Sequence, residues 1–224
     1  MAADPNAWLS GIPLAPPDPI LGVAAAYRAC PAEKKVNLSI GAYRTEEGNP
    51  YVFKAVKEAE AQLVANDNRN KEYQPIQGND EFNTLSRRLI FGPTLTEDDE
   101  KSMISVQVLS GTGALRTAAE FLRQFKGDVP VYNSNPTWGN HFKVFQNAGF
   151  TQTPTYPYWN GETRSVNFEA LKNCLTNEVP EGAIIVLHAC AHNPTGVDLT
   201  RDQMKEVGQI MQARNLFPLF DSAY

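Results

Sequence analysis

Residues 184–196 read Ile-Ile-Val-Leu-His-Ala-Cys-Ala-His-Asn-Pro-Thr-Gly. A β-branched run that ends in small and polar residues and then in Asn193-Pro194-Thr195-Gly196 is a buried strand running out into a tight turn. A helix follows. Thr200 with Gln203 three residues on makes a capping box, and Met204, Val207, Ile210 and Met211 recur at helical spacing. Leu216-Phe217-Pro218-Leu219-Phe220 then leads to Asp221 and Tyr224. Strand, turn, helix, strand is one βαβ unit, which needs a sheet with helices packed on it. Polar groups collect where its two strands end: His188, His192 and Asn193 after the first, Asp221 and Tyr224 after the second. Ligands of open α/β sheets sit at those carboxyl ends.

Working outward, 224 residues suffice for one good core, or one core plus a satellite. Hydrophobic residues at 42% and charged residues at 20% belong to a soluble globular class. A net charge of −5 without a basic run argues against a nucleic-acid partner. No apolar stretch approaches the roughly 20 residues of a membrane helix. Cys30, Cys174 and Cys190 are isolated and make no disulfide framework, so a reducing compartment is expected. Met-Ala-Ala-Asp-Pro at the start is neither a secretory signal nor an Arg- and Ser-rich transit peptide. The expected compartment is the cytoplasm, with a processed mitochondrial form left open.

Residues 1–17 form a Pro-rich arm carrying Trp8, Leu9, Ile12 and Leu14, which docks either on a second subunit or on its own domain. Asp18-Pro19 starts a helix to about Arg28. Val36 to Ile40 reads as a strand. Val52, Ala55, Val56, Ala59 and Leu63 line one helical face, and residues 66–78 are irregular. Phe82, Leu85, Leu89 and Ile90 mark another helix, Ile104 to Leu109 a strand, and Ala114 to Phe125 a helix. Val129 to Tyr132 is a strand. Asn135-Pro136-Thr137 opens a helix whose buried face holds Phe142 and Phe145, and Asn167 caps one running through Leu171 and Leu175. The alternation from residue 104 onward predicts an α/β fold of three layers, α/β/α, on a mostly parallel sheet.

Four stretches could carry chemistry. Ser110-Gly111-Thr112-Gly113, read as a tight turn before a helix, offers free backbone N–H groups, the positive end of a helix dipole and two hydroxyls. It is a phosphate cradle or a plain capped turn; it is neither a dinucleotide fingerprint nor a P-loop. His188, Cys190 and His192 alternate along an extended chain and suit zinc by type, but their spacing is unlike known zinc sites, and a packed Cys between hydrogen-bonded His residues is the better reading. Asp221 at the end of an apolar strand needs a cationic or hydrogen-bonding partner, and no Lys or Arg lies near it in sequence. Trp138, at a helix start beside Gly139, is either core or a plate for a flat ligand ring.

Taken together, six segments resemble the fold-type I pyridoxal-phosphate aminotransferases, and most closely the aspartate aminotransferases. They are residues 36–44, 72–78 (Glu-Tyr-Gln-Pro-Ile-Gln-Gly), 110–116 (Ser-Gly-Thr-Gly-Ala-Leu-Arg), 136–141 (Pro-Thr-Trp-Gly-Asn-His), 186–196 and 220–224 (Phe-Asp-Ser-Ala-Tyr). Each alone is weak; six in family order cover nearly the whole chain after the arm. The resemblance implies that Ser110, Gly111 and Thr112 hold the phosphate of pyridoxal 5'-phosphate. Trp138 would stack on the ring, Asp221 pair with the protonated ring nitrogen, and His141 orient Asp221. Asn193 and Tyr224 would bond the ring's phenolic oxygen, with a cis peptide before Pro194. Gly41, Trp138 and Asn193 would meet the substrate, and Tyr73 would reach the phosphate of the neighbouring subunit in a homodimer.

The same resemblance implies an arm at 1–17, part of a small domain at 18–50, and a cofactor-binding large domain over 51–224. It implies transamination between L-aspartate and 2-oxoglutarate, with dicarboxylic amino acids and 2-oxo acids as substrates and no resident metal. Two rivals stand beside it: an aromatic amino acid aminotransferase, and a truncated, non-catalytic cofactor-binding or interaction protein. One departure is large. The family's Schiff-base lysine lies beyond the cofactor aspartate, whereas every lysine here precedes Asp221. Ser39 also stands where glycine is common. The 224 residues alone are therefore expected to be inactive.

Overall fold

In the computed structural model, residues 10–13, 19–39 and 41–224 are described. Ile184–His188 is a strand in the middle of a four-stranded sheet. Its companions are β1 (Val131–Asn135), β2 (Thr155–Pro157) and β6 (Phe217–Asp221); with Ile184–His188 as β5 the order is β2-β1-β5-β6, parallel throughout. A separate antiparallel pair, β3 (Trp159–Asn160) and β4 (Ser165–Val166), lies in the crossover after β2.

Both faces of β5 are buried, and successive residues serve different cores. Ile185 and Leu187 point into a cluster with α7 (Phe168–Asn173), the π-helical turn Cys174–Glu178 that continues it, and α8 (Arg201–Ala213), through Leu171, Leu175, Val207 and Met211. Ile184 and Val186 point into a second cluster with α5 (Ser110–Lys126) and α6 (Asn140–Asn147), through Leu115, Leu122, Val144 and Phe145. Helices on both faces of a parallel sheet give the α/β/α layering expected from the alternation. Thr200 caps α8 as predicted: its hydroxyl accepts from Gln203 N–H while the Gln203 side chain returns to Thr200 N–H.

The chain divides into two compact units, Met1–Glu72 and Tyr73–Tyr224. The first holds α1 (Pro19–Ala29) and α2 (Lys54–Ala65). It also holds a turn at Gly48 (φ +81) that brings Tyr43, Tyr51 and Phe53 into ring contact. The second begins with α3 (Asp80–Phe91), a 3-10 turn at Gly92–Thr94 and a short, unforeseen α4 (Glu97–Ser102), capped by Thr96.

Several expectations need correction. Val36 to Ser39 forms no strand, and Val36 and Leu38 are exposed; Ile40, Asp18 and the arm's Trp8, Leu9 and Leu14 lie outside the described residues. Residues 104–109 are extended but unpaired as a strand among the described residues. Gln107 N–H goes instead to the Gln77 carbonyl (2.8 Å), and Ile104 and Leu109 are exposed. A strand needs a ladder neighbour as well as β-branched residues, and none stands here. The backbones meet at Gly78, whose φ of +92 suits glycine and where a Cβ would strike Gln107. The Ser110-Gly111-Thr112-Gly113 segment is the first turn of α5 and no separate turn. The buried face of α6 is His141, Val144 and Phe145, with Phe142 only half-buried, because the helix starts at Asn140. Asn167 occupies the cap position of α7, but its side chain makes no capping hydrogen bond.

Candidate active site

The parallel register sets His188, last in β5, beside Asp221, last in β6. The first turn of α6 brings His141 to the same place. His141 is fully buried, and its Nε2 lies 2.9 Å from Asp221 Oδ2; its Nδ1 lies 2.8 Å from Thr137 Oγ1. The hydrogen bond from His141 holds the Asp221 carboxyl below the usual range and outweighs the burial that opposes it. Asp221 is therefore an ionised carboxylate, 15% exposed. Among the described residues no hydrogen bond reaches its Oδ1.

Two more imidazoles line the end of β5. His188 stands 5.2 Å from the His141 ring and 4.4 Å from that of His192, and among the described residues its buried Nδ1 has no hydrogen-bond partner. His192 bonds Ser134 Oγ through Nε2 and Thr195 Oγ1 through Nδ1, both at 2.8 Å, and stacks on Tyr158 at 3.8 Å. Burial pushes both down to about 4, aided by the neighbouring imidazoles, so they are neutral at pH 7. Asp198 accepts the backbone N–H groups of Ala191 (φ +50) and His192, each at 2.9 Å, and so ties down the turn that carries Asn193 and the cis Asn193–Pro194 bond. A second cis bond, Asn135–Pro136, precedes Thr137.

Trp138 is half-buried, edge-on to His141 at 5.5 Å, and packs against the cluster under α5 and α6. The C-terminus of α5 is joined to β1 by residues 127–130 alone, so its N-terminus points to the end of the sheet where the strands finish. Ser110, Gly111 and Thr112 are exposed there. Ser110 takes a left-handed φ of +60, and a Cβ on Gly111 would meet only open space. Tyr224 is exposed and its carbonyl lies 3.3 Å from Cys190 Sγ. Cys190 is thus turned away from His188 and His192, and the alternating trio drawn from an extended chain does not form, because β5 ends at His188. Tyr73 is exposed at the start of the second unit; Gly41 is exposed in the first.

The sequence reading missed Thr137, Ser134, Thr195 and Asp198, all of which orient residues it had singled out. None carried a local signal; Thr137 lies before the cap of α6, so helical spacing does not link it to His141.

A family model described as aminotransferase class I and II matches residues 33–224. The chain belongs to this family. The cytoplasmic aspartate aminotransferase of Oryza sativa subsp. japonica is 50% identical over 215 residues, covering 96% of this chain and 52% of the relative. Among solved structures, aspartate aminotransferase from Saccharomyces cerevisiae cytoplasm superposes with a TM-score of 0.86 at 41% identity, covering 96% of this chain and 52% of that one. An aromatic-amino-acid aminotransferase from Burkholderia pseudomallei, covalently bound to pyridoxal phosphate, gives 0.88 at 38% identity, covering 96% and 53%. This aminotransferase chain spans about half the length of the curated relatives it matches.

Proposed function

We propose that the protein carrying this chain uses pyridoxal 5'-phosphate to move an amino group between L-aspartate and 2-oxoglutarate, giving oxaloacetate and L-glutamate. The observation that carries this reading is the Asp221 carboxylate: ionised, gripped on Oδ2 by a buried histidine, and open on its other oxygen.

The donors present suit that cofactor. Asp221 would pair with a protonated pyridine nitrogen, and His141 and Thr137 keep the carboxylate aimed. The exposed N-terminus of α5, with Ser110, Gly111 and Thr112, would take a phosphate on unpaired backbone N–H groups and hydroxyls. Trp138 would lie along the ring, and Asn193 and Tyr224 would bond its phenolic oxygen. Bound there, pyridoxal phosphate supplies an electron-accepting ring for carbanion chemistry at an amino acid α-carbon. Asp221, by holding a positive charge at the ring nitrogen, would keep that ring accepting. Gly41 would offer backbone to the substrate carboxylate, alongside Trp138 and Asn193.

The wider reading follows the family: an arm over residues 1–17, part of a small domain over 18–50, a cofactor domain from 51, and a homodimer in which Tyr73 reaches the partner's phosphate. The cytoplasm is the compartment named for the rice and yeast relatives, although other relatives carry chloroplastic and mitochondrial names. Aromatic aminotransferases among the similar structures keep an aromatic substrate as the second reading. Asp221→Ala tests the first. In an aspartate–2-oxoglutarate assay of the protein carrying this chain, it should cut turnover by at least about two orders of magnitude, the scale of losing one preorganised electrostatic contact. Undiminished exchange in that variant would overturn the reading; phenylalanine turned over faster than aspartate by the unsubstituted protein would favour the second.

A further inference from the structure

The zinc reading fails for His188, Cys190 and His192, yet the fold assembles another set. Donor atoms of His141, His188 and Asp221 all lie within 4.8 Å of one another. Two imidazoles and one carboxylate are a ligand set for zinc, cobalt or nickel, whereas calcium and magnesium prefer oxygen alone.

Three further observations point the same way. Among the described residues the buried Nδ1 of His188 has no hydrogen-bond partner, so this imidazole keeps a nitrogen uncommitted beside the other two donors. Without an ion, His141 Nε2 donates to the Asp221 oxygen 2.9 Å away; a divalent ion would displace that proton, and the Thr137 hydroxyl, 2.8 Å from His141 Nδ1, can then accept the proton of the Nδ1-H tautomer that ligation through Nε2 requires. His188 and Asp221 are both partly exposed, which leaves a way in for the ion and a water as fourth ligand.

We infer that the cofactor-free protein binds one Zn2+-like divalent ion between His141, His188 and Asp221, and that this ion and pyridoxal phosphate exclude one another because both claim the Asp221 carboxylate. Tetrahedral zinc at about 2.0–2.2 Å from each donor puts donors about 3.4 Å apart, so a pair at the 4.8 Å limit must close by up to about 1.4 Å and the 2.9 Å His141–Asp221 pair must open by about 0.5 Å, both through side-chain rotation. The metal half stands on geometry alone; the exclusion half rests on the proposed function.

Cobalt, a coloured stand-in for zinc, tests both halves on the full chain after chelator treatment. The expected result is one equivalent of Co2+ with the visible bands of a low-coordinate site. Affinity should fall at least about tenfold in His188→Ala and in His188→Gln, and about tenfold in Thr137→Val, the loss typical of a partner behind a ligand. Cys30→Ser with Cys190→Ser should leave it unchanged. Circular dichroism shows whether each variant is folded, and the more conservative His188→Gln decides if His188→Ala is not. Equal binding by the folded His188 variants, or no binding by the unsubstituted chain, would overturn the site. Added pyridoxal phosphate should abolish the bands; bands that persist beside bound pyridoxal phosphate would overturn the exclusion. Failure of pyridoxal phosphate to bind the metal-free protein would count against the proposed function and leave the metal site standing.

Discussion

Residues 131–221 and residues 80–109 lie in the same unit and were read from sequence by the same rules, yet they end differently. In the first stretch most apolar periodicities find a partner: β5 is buried on both faces and Leu171 is 0% exposed, although Phe217 and Phe220 of β6 stay exposed. In the second, α3 forms where its spacing predicts, capped by Asn79, but Phe82, Leu85, Leu89 and Ile90 stay exposed and residues 104–109 join no sheet among the described residues. The helix survives because its hydrogen bonds are internal; the strand does not, because its bonds belong to a neighbour. Local pattern predicts the element, and packing decides whether the pattern is used.

The largest expected effect sharpens that contrast. Leu171→Ala should cost about 2–5 kcal/mol in denaturant unfolding, because it opens a cavity in a closed core. A loss below about 1 kcal/mol would mean that this core is loosely packed.

Acid should weaken the same stretch. Burial holds His188 and His192 at about 4, against about 6.5 in an unfolded chain. Above pH 6.5 both imidazoles are neutral in either state and their contribution is complete. Between 6.5 and 4 the unfolded chain takes up protons that the folded chain refuses, so stability falls with pH. The depressed Asp221 adds a further loss in the same direction below its ordinary range. Thermal unfolding midpoints should drop over this window, and less steeply in His192→Gln; a flat profile would break the assignment of two buried neutral imidazoles.

Smaller effects follow. Thr200→Ala removes the cap of α8 and should cost about 1 kcal/mol, read by the same unfolding curve. Leu89→Ala, at a side chain 85% exposed, should stay within about 0.5 kcal/mol. A larger loss there would show that the face of α3 is covered in solution, and the contrast between the two stretches would dissolve.

The sequence made the βαβ unit legible because its signals were redundant. Residues 184–188 and 217–221 were apolar runs bounded by turns, and Thr200 and Gln203 fixed the helix between them. Asp221 stood out by chemistry, as a carboxylate where an apolar strand ends. His141 entered only through family likeness, since nothing local says that a helix-start imidazole will meet a residue eighty positions later. Ser134, Asp198 and the isolation of Cys190 were illegible for the same reason. They depend on where β5 stops and how the next turn coils, and backbone geometry of that kind leaves no periodic trace.

The alternation along β5 has one more consequence. A strand sealed between two interiors has no idle side to slide onto, so deleting a single residue before Ile184 would send each aliphatic chain into the wrong layer and rotate His188 away from Asp221. The spacing of the chemistry at the strand's tip is thus guarded by hydrocarbon several residues away, and point changes should be tolerated there far better than changes of length.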